Sequence, residues 1–315
     1  MRLANSSICL EILLVTGGNR YRGYRNSYPE RMSPIIETSV TIDAKNSHLK
    51  ASKILAEHTG LSQASIKEAM QKGAVWLHRA QDKKRLRRAS KSLNVNDELF
   101  LNYDSNILSQ EVKEPELIHD AQNYSVWFKP YGLACQGSRW GDFASINRWV
   151  ETNLHKLQNC TERPALLVHR LDRATSGLML ICHSKQAARQ FSELFQTGKM
   201  DKRYQAVVHG DFSQYPPQME INTPIDGKNA KSLFTHVERD AQHSLLDIQL
   251  LTGRKHQIRK HLSELKHPIV GDRLYGKEDG GDRDLQLQSV SLQFTCPIEG
   301  KEEHFCLANN KRLSL

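Results

Sequence analysis

The sequence has few of the features that mark membrane, disulfide-linked or zinc-binding proteins. Its apolar runs fall well short of the roughly 18 residues that cross a bilayer, and the opening stretch ICLEILLV is short and interrupted by Glu11. The six cysteines form no C-x-x-C pair and follow no regular spacing, which favours reduced thiols over disulfides or a zinc site. We therefore expect a cytoplasmic protein with no membrane association.

The signatures of common nucleotide-binding and hydrolytic enzymes are also missing. The chain contains no P-loop and no G-x-G-x-x-G motif, so neither ATP nor a dinucleotide is indicated. It has no G-x-S-x-G elbow for a serine nucleophile. His256 and His261 fall on different faces of a predicted helix, and no cysteine or carboxylate completes a tetrahedral set with them. We expect neither a metal nor a cofactor.

A surplus of positive charge is what the sequence has instead. Lys and Arg total 44 against 35 Asp and Glu, a net charge of +9, which favours a nucleic acid partner over a membrane surface. Seven basic residues fall between 78 and 91, opposed there by Asp82 alone. This run is either a solvated loop or a phosphate-binding face, and lysines on the helix before it favour the second. The predicted RNA-binding residues are Lys67, Lys72, Arg79, Lys83, Lys84, Arg85, Arg87 and Arg88.

The pattern along the chain predicts a small domain in front of a larger one. The predicted segments are a disordered or loosely ordered tail at 1–45, a small α/β domain at 46–105, a linker at 106–119 and the larger domain at 120–315. Within the tail, Met32 is a candidate for the true start of the protein. The small domain shows two helical stripes that end at Gly60 and Gly73, the second with Ser62 as its N-cap, and then the strand-like stretches AVWL and DELFLNY.

The larger domain has strand-like stretches that often follow one another without a helix between them. The strand candidates are YSVWFKP, ALLVHRL, GLMLICH, RYQAVVHG, SLFTHVE, SLLDIQLL and VSLQF. The helix candidates are ASINRWVETNLHKL, KQAARQFSELFQTG and RKHQIRKHLSEL. This order predicts an α+β fold with a mixed sheet rather than a doubly wound parallel one.

One isolated carboxylate, Asp172, is a candidate catalytic residue. HRLDRATSGLMLIC places Asp172 between Arg170 and Arg173, ahead of a turn and an apolar run. Hydrolysis by paired carboxylates needs a second acid, and the local sequence offers none. In KRYQAVVHG, the alternation puts Tyr204 on one face of a strand, where it is either a core aromatic or a stacking surface for a base. What remains is a single acid that acts on a polyanion without metal or cofactor.

Five blocks of the sequence, taken in order, resemble the RluA family of RNA pseudouridine synthases. HRLDRATSGLML resembles the family's H-R-L-D-x-x-T-S-G-L motif, and KRYQAVVHG resembles its K-x-Y-x-A-x-V-x-G strand. FKPYGL resembles its K-P-x-G-L block, while GRKHQIRKH and HPIVGDRLYG resemble its third and fourth blocks. The resemblance spans about residues 120–310 and implies the pseudouridine synthase fold, with a mixed, largely antiparallel sheet.

The resemblance also implies a role for each matched residue. Asp172 is expected to be the nucleophile that attacks the ribose or the uracil, so that the base detaches, turns and rejoins through carbon. Tyr204 is expected to stack on the uracil and Arg254 to pair with Asp172. Arg170 is expected to help fill the place of the flipped nucleotide, and Ile258 to pack against the pocket.

The small domain resembles, less closely, the S-four-like RNA-binding domain found in small-subunit ribosomal proteins and in many synthases of this family. Lys50-Ala51-Ser52 stands where that domain opens with Arg-Leu-Asp, and the Asn-Gly turn after AVWL is absent. The sequence thus predicts a monomeric RNA uridine isomerase, with large-subunit ribosomal RNA favoured over transfer RNA as substrate. The alternatives are a catalytically silent RNA-binding or ribosome-assembly factor on the same fold, and a metal-dependent RNA hydrolase.

Overall fold

Residues 35–276 and 283–315 are the part of the chain that the computed structural model describes. They divide into two units. The N-terminal unit holds the residues up to 111 and the short segment 137–143, and the C-terminal unit holds 112–136 and 144–315. The candidate start at Met32 and the predicted tail up to residue 34 lie outside the described residues.

The N-terminal unit is a four-stranded antiparallel sheet with three short helices. Its elements are β1 (Ile35–Thr41), α1 (Ala51–Thr59), α2 (Gln63–Gln71), β2 (Val75–Arg79), β3 (Asp82–Arg85), β4 (Glu98–Asp104) and α3 (Ser105–Leu108). The sheet order is β1-β4-β2-β3. Helix α1 ends at Gly60 in the left-handed conformation, and Ser62 caps α2 by accepting a hydrogen bond from the Ser65 amide, as the sequence predicts.

Three boundaries differ from the predicted segments. Strand β1 lies in the predicted tail, and it is ordered because each of its seven residues pairs with β4. The predicted linker 106–119 contains most of α3 and the start of the next strand, at Glu116. Residues 137–143 belong with the N-terminal unit although the sequence pattern places them in the larger domain.

The C-terminal unit is built on a ten-stranded mixed sheet, as the α+β prediction requires. Its strands are β5 (Glu116–Asp120), β6 (Tyr124–Lys129), β7 (Leu166–Leu167), β8 (Ser176–Cys182), β9 (Asp201–His209), β10 (Gln218–Ile221), β11 (Ser232–Arg239), β12 (His243–Leu250), β13 (Leu287–Thr295) and β14 (Glu302–Cys306). Its helices are α4 (Ile146–Leu157), α5 (Lys185–Gln196) and α6 (Gln257–Glu264). The main path through the sheet is β10-β11-β12-β9-β13-β8-β6-β5, with β14 beside β13 and β7 beside β8.

Both faces of this sheet are covered. Met179 and Ile181 of β8 face a core that also contains buried residues of α4 and α6. Leu178 and Leu180, which alternate with them, face a second core around Phe191 of α5. Burial on both faces explains why the β8 sequence GLMLIC is a continuous apolar run rather than an alternating one. No helix among the described residues is long and apolar enough to cross a membrane.

Strands β8 and β13 run parallel and approach each other closely where the T-S-G turn ends. Gly177 pairs with Ser289 across this junction and has a φ of +110°. A Cβ atom on Gly177 would lie 2.2 Å from the carbonyl oxygen of Ser289. Only glycine fits at this position, so the turn after Asp172 is fixed by the packing of β8 against β13.

A candidate active site around Asp172

The five residues that the sequence predicts for catalysis and substrate binding line one pocket of the C-terminal unit. The pocket has a volume of about 200 Å³. Those five residues are Arg170, Asp172, Tyr204, Arg254 and Ile258. The remaining lining residues are Leu171, Thr175, Leu250, Gly253, Lys255, His256, Gln257, Arg259 and Leu287. A larger cavity of about 380 Å³, at Asp240, His243 and Arg283, contains none of the five.

Asp172 stands on the connection between β7 and β8, with its side chain 22% exposed. Its backbone carbonyl accepts a hydrogen bond from the Thr175 amide at 3.0 Å, which closes the turn before β8. The neighbouring Leu171 is clamped by the buried thiol of Cys135, which contacts both the amide (3.2 Å) and the carbonyl (3.1 Å) of Leu171. The backbone on both sides of the carboxylate is therefore held in place.

The arginine that reaches Asp172 is Arg259, so the predicted pairing with Arg254 is wrong. Nη1 of Arg259 lies 3.4 Å from Oδ2 of Asp172. Arg254 sits in the exposed loop before α6, and its Nε donates to the carbonyl of Asn229 at 2.8 Å. Because α6 begins at Gln257, Arg259 falls in its first turn and is buried, whereas Arg254 remains at the rim of the pocket.

A second carboxylate fixes the direction of Arg259. Its Nε and Nη2 donate to the two oxygens of the buried Asp272, at 2.8 and 2.7 Å. The same carboxylate accepts hydrogen bonds from the amides of Leu274 and Tyr275, both at 3.0 Å. Burial is the largest single influence and would raise the pKa of Asp272, but the hydrogen bonds and charge of Arg259 and the two backbone amides together hold that pKa below its usual range. This bidentate pair leaves only Nη1 to face Asp172.

Tyr204 and Ile258 are both core residues and pocket walls. Tyr204 lies on β9, is 7% exposed, and belongs to the same buried cluster as Ile258 of α6. Tyr204 is thus a core aromatic that also lines the pocket, and its role as a stacking surface for a base stays a prediction. Burial raises the pKa of Tyr204 above its usual value, so the ring meets the pocket as a neutral phenol.

Neither His256 nor Tyr275 is among the site residues predicted from the sequence, where His256 is weighed only as a metal ligand. Nε2 of His256 lies 3.6 Å from Oδ1 of Asp172, and its Nδ1 is 2.8 Å from the hydroxyl of Tyr275. Burial lowers the pKa of His256, although the charge of Asp172 acts in the opposite direction. The block GRKHQIRKH contains this histidine, but nothing in its spacing shows that the side chain turns toward the acid.

Lys129, in the block FKPYGL, is another residue near Asp172 in the fold that is not among the predicted site residues. Its ammonium group is buried and donates to the carbonyls of Pro130, Leu133 and Arg173 at 3.1, 2.8 and 3.3 Å. Burial lowers the pKa of Lys129 to about 8. The lysine thus joins the loop after β6 to the loop that follows Asp172.

Several of the predicted RNA-binding residues are engaged inside the N-terminal unit. Arg79 forms two hydrogen bonds with the buried carboxylate of Asp97, at 2.9 and 2.7 Å. Arg85 and Arg87 both pair with Asp142, which belongs to the 137–143 segment. For these three arginines, a contact with phosphate would compete with an existing ion pair.

The other basic residues of this surface point to solvent to different degrees. Lys72 is part-buried and donates to the Leu108 carbonyl at 2.5 Å. Lys84 is 75% exposed and pairs with the equally accessible Asp82 at 2.7 Å. The side chains of Lys67, Lys83 and Arg88 are exposed. The exposed residues Lys67, Lys83, Lys84 and Arg88 are hereafter called the exposed basic cluster.

Comparison with known proteins finds a family whose matched region contains Asp172, Tyr204 and Arg259. The family described as RNA pseudouridylate synthase matches residues 123–264. The chain is 26% identical, across 82% of its length and 84% of the relative's, to an uncharacterized RNA pseudouridine synthase of Mycoplasma pneumoniae. It is 27% identical to ribosomal large subunit pseudouridine synthase D of Borreliella burgdorferi, across 66% of this chain and 71% of that one. It is 32% identical to tRNA pseudouridine synthase C of Pectobacterium carotovorum, over 42% of this chain and 44% of the relative.

A solved structure has a similar fold. Human RNA pseudouridylate synthase domain containing 4 superposes with a TM-score of 0.52 at 24% identity, covering 61% of this chain and 88% of that one. This likeness concerns the fold, which is the α+β arrangement with a mostly antiparallel sheet described above.

Proposed function

We propose that the chain is an RNA pseudouridine synthase of the RluA-like family and that Asp172 is the nucleophile with which it isomerises uridine to pseudouridine. The observation that carries this proposal is the carboxylate of Asp172 facing Arg259 in a pocket walled by Tyr204. One carboxylate is sufficient, because a covalent intermediate divides a difficult step into two easier ones.

The proposed chemistry balances without a co-reactant. The carboxylate of Asp172 attacks the ribose or the uracil, and the bond between C1′ and N1 breaks. The detached base turns and joins C1′ through C5, and the bond between Asp172 and the substrate breaks, which frees the carboxylate. C5 loses a proton and N1 gains one. Substrate and product are isomers, so no oxidant, reductant or energy source is consumed. Arg259 supports the first step by holding a fixed positive charge 3.4 Å from the carboxylate.

Chemistry on a base inside a stacked RNA requires the target nucleotide to flip out of its stack. The cavity of about 200 Å³ beside Asp172 is the proposed place for the flipped uracil. Tyr204 then supplies the ring against which the uracil stacks, and Ile258 supports the apolar side of the pocket. Arg170 is exposed at the rim, where it fills the space that the flipped base leaves.

The N-terminal unit is proposed to bind RNA as an S-four-like domain. Its sheet and helices present the exposed basic cluster to solvent, and such residues contact phosphates without reading sequence. Arg79, Arg85 and Arg87 contribute to the shape of this surface through their internal ion pairs.

Large-subunit ribosomal RNA is the proposed target. The match to the ribosomal large subunit synthase of Borreliella burgdorferi spans a larger share of both chains than the match to the tRNA synthase of Pectobacterium carotovorum. Transfer RNA is the second candidate, on the name of that second relative. We further propose that the protein acts as a monomer in the cytoplasm.

The two alternatives are less well supported. A catalytically silent factor on the same fold has no need to keep Asp172, Arg259 and Tyr204 together in one pocket. For a metal-dependent hydrolase, the described residues contain no group of three or more His, Cys, Asp or Glu side chains arranged to hold an ion.

The proposal is tested by replacing the nucleophile and mapping the product. Asp172→Asn should fold and bind RNA but form no pseudouridine in ribosomal or transfer RNA, as mapped by carbodiimide primer extension. Glu238→Gln, which changes an exposed carboxylate of the same unit, is the matched control and should keep full activity. Turnover of Asp172→Asn within tenfold of the unmodified protein would move the chemistry to another residue. The unmodified protein should keep full activity when it is assayed in EDTA.

A further inference from the structure

The proposed chemistry leaves one proton without a carrier. When C1′ joins C5, the C5 proton has to leave, and N1 of the same base has to gain a proton. Asp172 also has to release the substrate in this sequence, and a second group beside it would divide the two tasks. Tyr204 meets the pocket as a neutral phenol whose raised pKa makes it a poor base near neutral pH.

His256 has the position that such a carrier needs. It lines the pocket, and its Nε2 lies 3.6 Å from Oδ1 of Asp172, a separation longer than a hydrogen bond. Its other ring nitrogen, Nδ1, is 2.8 Å from the hydroxyl of Tyr275. A hydroxyl both donates and accepts, so Tyr275 can follow a change of tautomer at His256 without moving.

The backbone of His256 is held in an uncommon conformation. Its φ and ψ are 55° and 27°, in the left-handed region, which costs roughly 1 kcal/mol or more for a residue other than glycine. Gln257 stabilises this turn, since its Oε1 accepts from the Arg254 amide at 3.0 Å and its Nε2 donates to the Lys231 carbonyl at 3.0 Å. The carbonyl of His256 in turn accepts from the Lys260 amide at 2.9 Å, so the imidazole is fixed at the start of α6.

The charges around His256 favour a neutral ring that can accept a proton. The charged or titratable groups that face it are Asp172 from the β7–β8 connection, Lys255 beside it, Arg259 from α6, and Asp272 and Tyr275 from the turn after α6. Burial is the strongest influence and lowers its pKa, with Arg259 and Lys255 acting in the same direction and Asp172 in the opposite one. A neutral imidazole near pH 7 is the form that acts as a general base.

We propose that His256, held by Tyr275, is the acid–base residue of the pocket: its Nε2 takes the proton from C5 and then delivers a proton to N1. This inference rests on the proposed function. The electron pair of the C5–H bond restores the C5–C6 double bond, and the electrons of the N1–C6 double bond pass to N1, where the new N–H bond forms. The imidazole is neutral before and after the step, so protons and electrons balance.

The test uses variants that suit the backbone of this position. Glycine and asparagine both adopt the left-handed conformation readily, so His256→Gly and His256→Asn should fold. His304→Gln, on the exposed strand β14, is the matched control. The substrates are in vitro transcripts of large-subunit ribosomal RNA and transfer RNA, made with either ordinary or C5-deuterated uridine, and assayed in single turnovers.

We expect both His256 variants to lose about 10²- to 10⁴-fold in rate, the range of general acid–base catalysis. The C5 deuterium isotope effect should be larger than in the unmodified protein, because proton removal becomes the slow step. The fall of the rate at acidic pH, where His256 is protonated in the unmodified protein, should disappear. Added imidazole should restore part of the activity of His256→Gly. Tyr275→Phe should remain active but shift the acidic limb.

Other outcomes would overturn the inference. Rates within threefold of the unmodified protein, with the same isotope effect, would show that another group carries the proton. A slow variant whose isotope effect and pH profile are unchanged, without rescue by imidazole, would make His256 a residue that only positions Asp172. If the unmodified protein forms no pseudouridine in either RNA, the proposed function fails first, and this inference with it.

Discussion

Arg259 reaches Asp172 from a helix 87 residues further along the chain, with one nitrogen, Nη1, at 3.4 Å from Oδ2. Its other two nitrogens are bound to Asp272, so the guanidinium has a single direction in which to act. The pair therefore depends on geometry as much as on charge, and replacing Arg259 by another cation should not preserve it.

The first prediction concerns this geometry. Arg259→Lys keeps the charge but loses the bidentate contact with Asp272, and we expect a fall of about 100-fold in single-turnover rate, as for a small misplacement of a catalytic group. Arg254→Met should weaken RNA binding but keep the rate at saturating RNA, since Arg254 contacts Asn229 rather than Asp172. Arg239→Met, on the exposed end of β11, is the control. Equal losses of single-turnover rate in Arg259→Lys and Arg254→Met would contradict the pairing of Arg259, rather than Arg254, with Asp172.

The second prediction separates the ring of Tyr204 from its hydroxyl. Tyr204→Phe should retain activity within about tenfold, because the hydroxyl is not expected to exchange protons near neutral pH. Tyr204→Ala should lose the stacking surface, worth roughly 1–3 kcal/mol per base, or about 5- to 150-fold in activity. Phe234→Ala removes a fully buried ring of the same cluster that does not line the pocket, and it should lower the melting temperature without this loss. Loss of activity in Tyr204→Phe would show that the hydroxyl takes part in the reaction.

The third prediction is a dependence of stability on pH that originates at Lys129. Its pKa is about 8 in the folded chain against 10.5 in an unperturbed lysine. Between these two pH values the unfolded chain binds more protons than the folded chain, so the free energy of unfolding rises with pH. Below pH 8 Lys129 is protonated in both states, and its contribution no longer changes with pH. Relative to Lys129→Met, the unmodified protein should gain up to roughly 3 kcal/mol between pH 8 and 10.5 in urea denaturation. A difference that stays constant with pH would contradict the buried position of this ammonium group.

The fourth prediction divides the basic residues of the N-terminal unit. Changing the exposed basic cluster to Ala should weaken binding to every RNA tested and flatten the salt dependence by up to about one unit per lost contact. The single-turnover rate at saturating RNA should not change. Unchanged affinity for RNA would show that the exposed basic cluster is only a solvated surface.

Arg85→Ala together with Arg87→Ala should behave differently. Both arginines pair with Asp142, whose side chain is only 14% exposed, so their loss should lower the free energy of unfolding by roughly 1–3 kcal/mol. The melting temperature, measured beside RNA affinity, distinguishes the two sets. If the double variant loses affinity but not stability, these arginines serve RNA as the sequence alone suggests.

The pocket residues could be named from the sequence because its blocks resemble those of a known family. Asp172, Tyr204 and Ile258 come from three separate blocks, and the fold brings them to one cavity. The sequence could not tell Arg254 from Arg259, because both lie in GRKHQIRKH and the choice depends on where α6 begins. A buried arginine needs an acid beside it, and that acid, Asp272, lies in the next block.

The same limit explains the errors in the N-terminal unit. The stretch IIETSVT alternates too weakly to stand out within an irregular tail, and it becomes β1 only because β4 is available to pair with it. The run of basic residues looked free because its counter-ions, Asp97 and Asp142, are remote in sequence from the arginines they bind. Pairing between distant segments is the information that local patterns do not contain.

The place of β13 in the sheet has a consequence for when the enzyme becomes active. This strand, residues 287–295, lies between β9, which carries Tyr204, and β8, which follows Asp172. During synthesis, both of those strands leave the ribosome long before the strand that joins them, and contacts of such long range form late. We therefore expect Asp172 and Tyr204 to come together in one pocket only after the last few dozen residues emerge. The proposed isomerisation would then begin only after the chain leaves the ribosome, whereas the N-terminal unit can fold earlier.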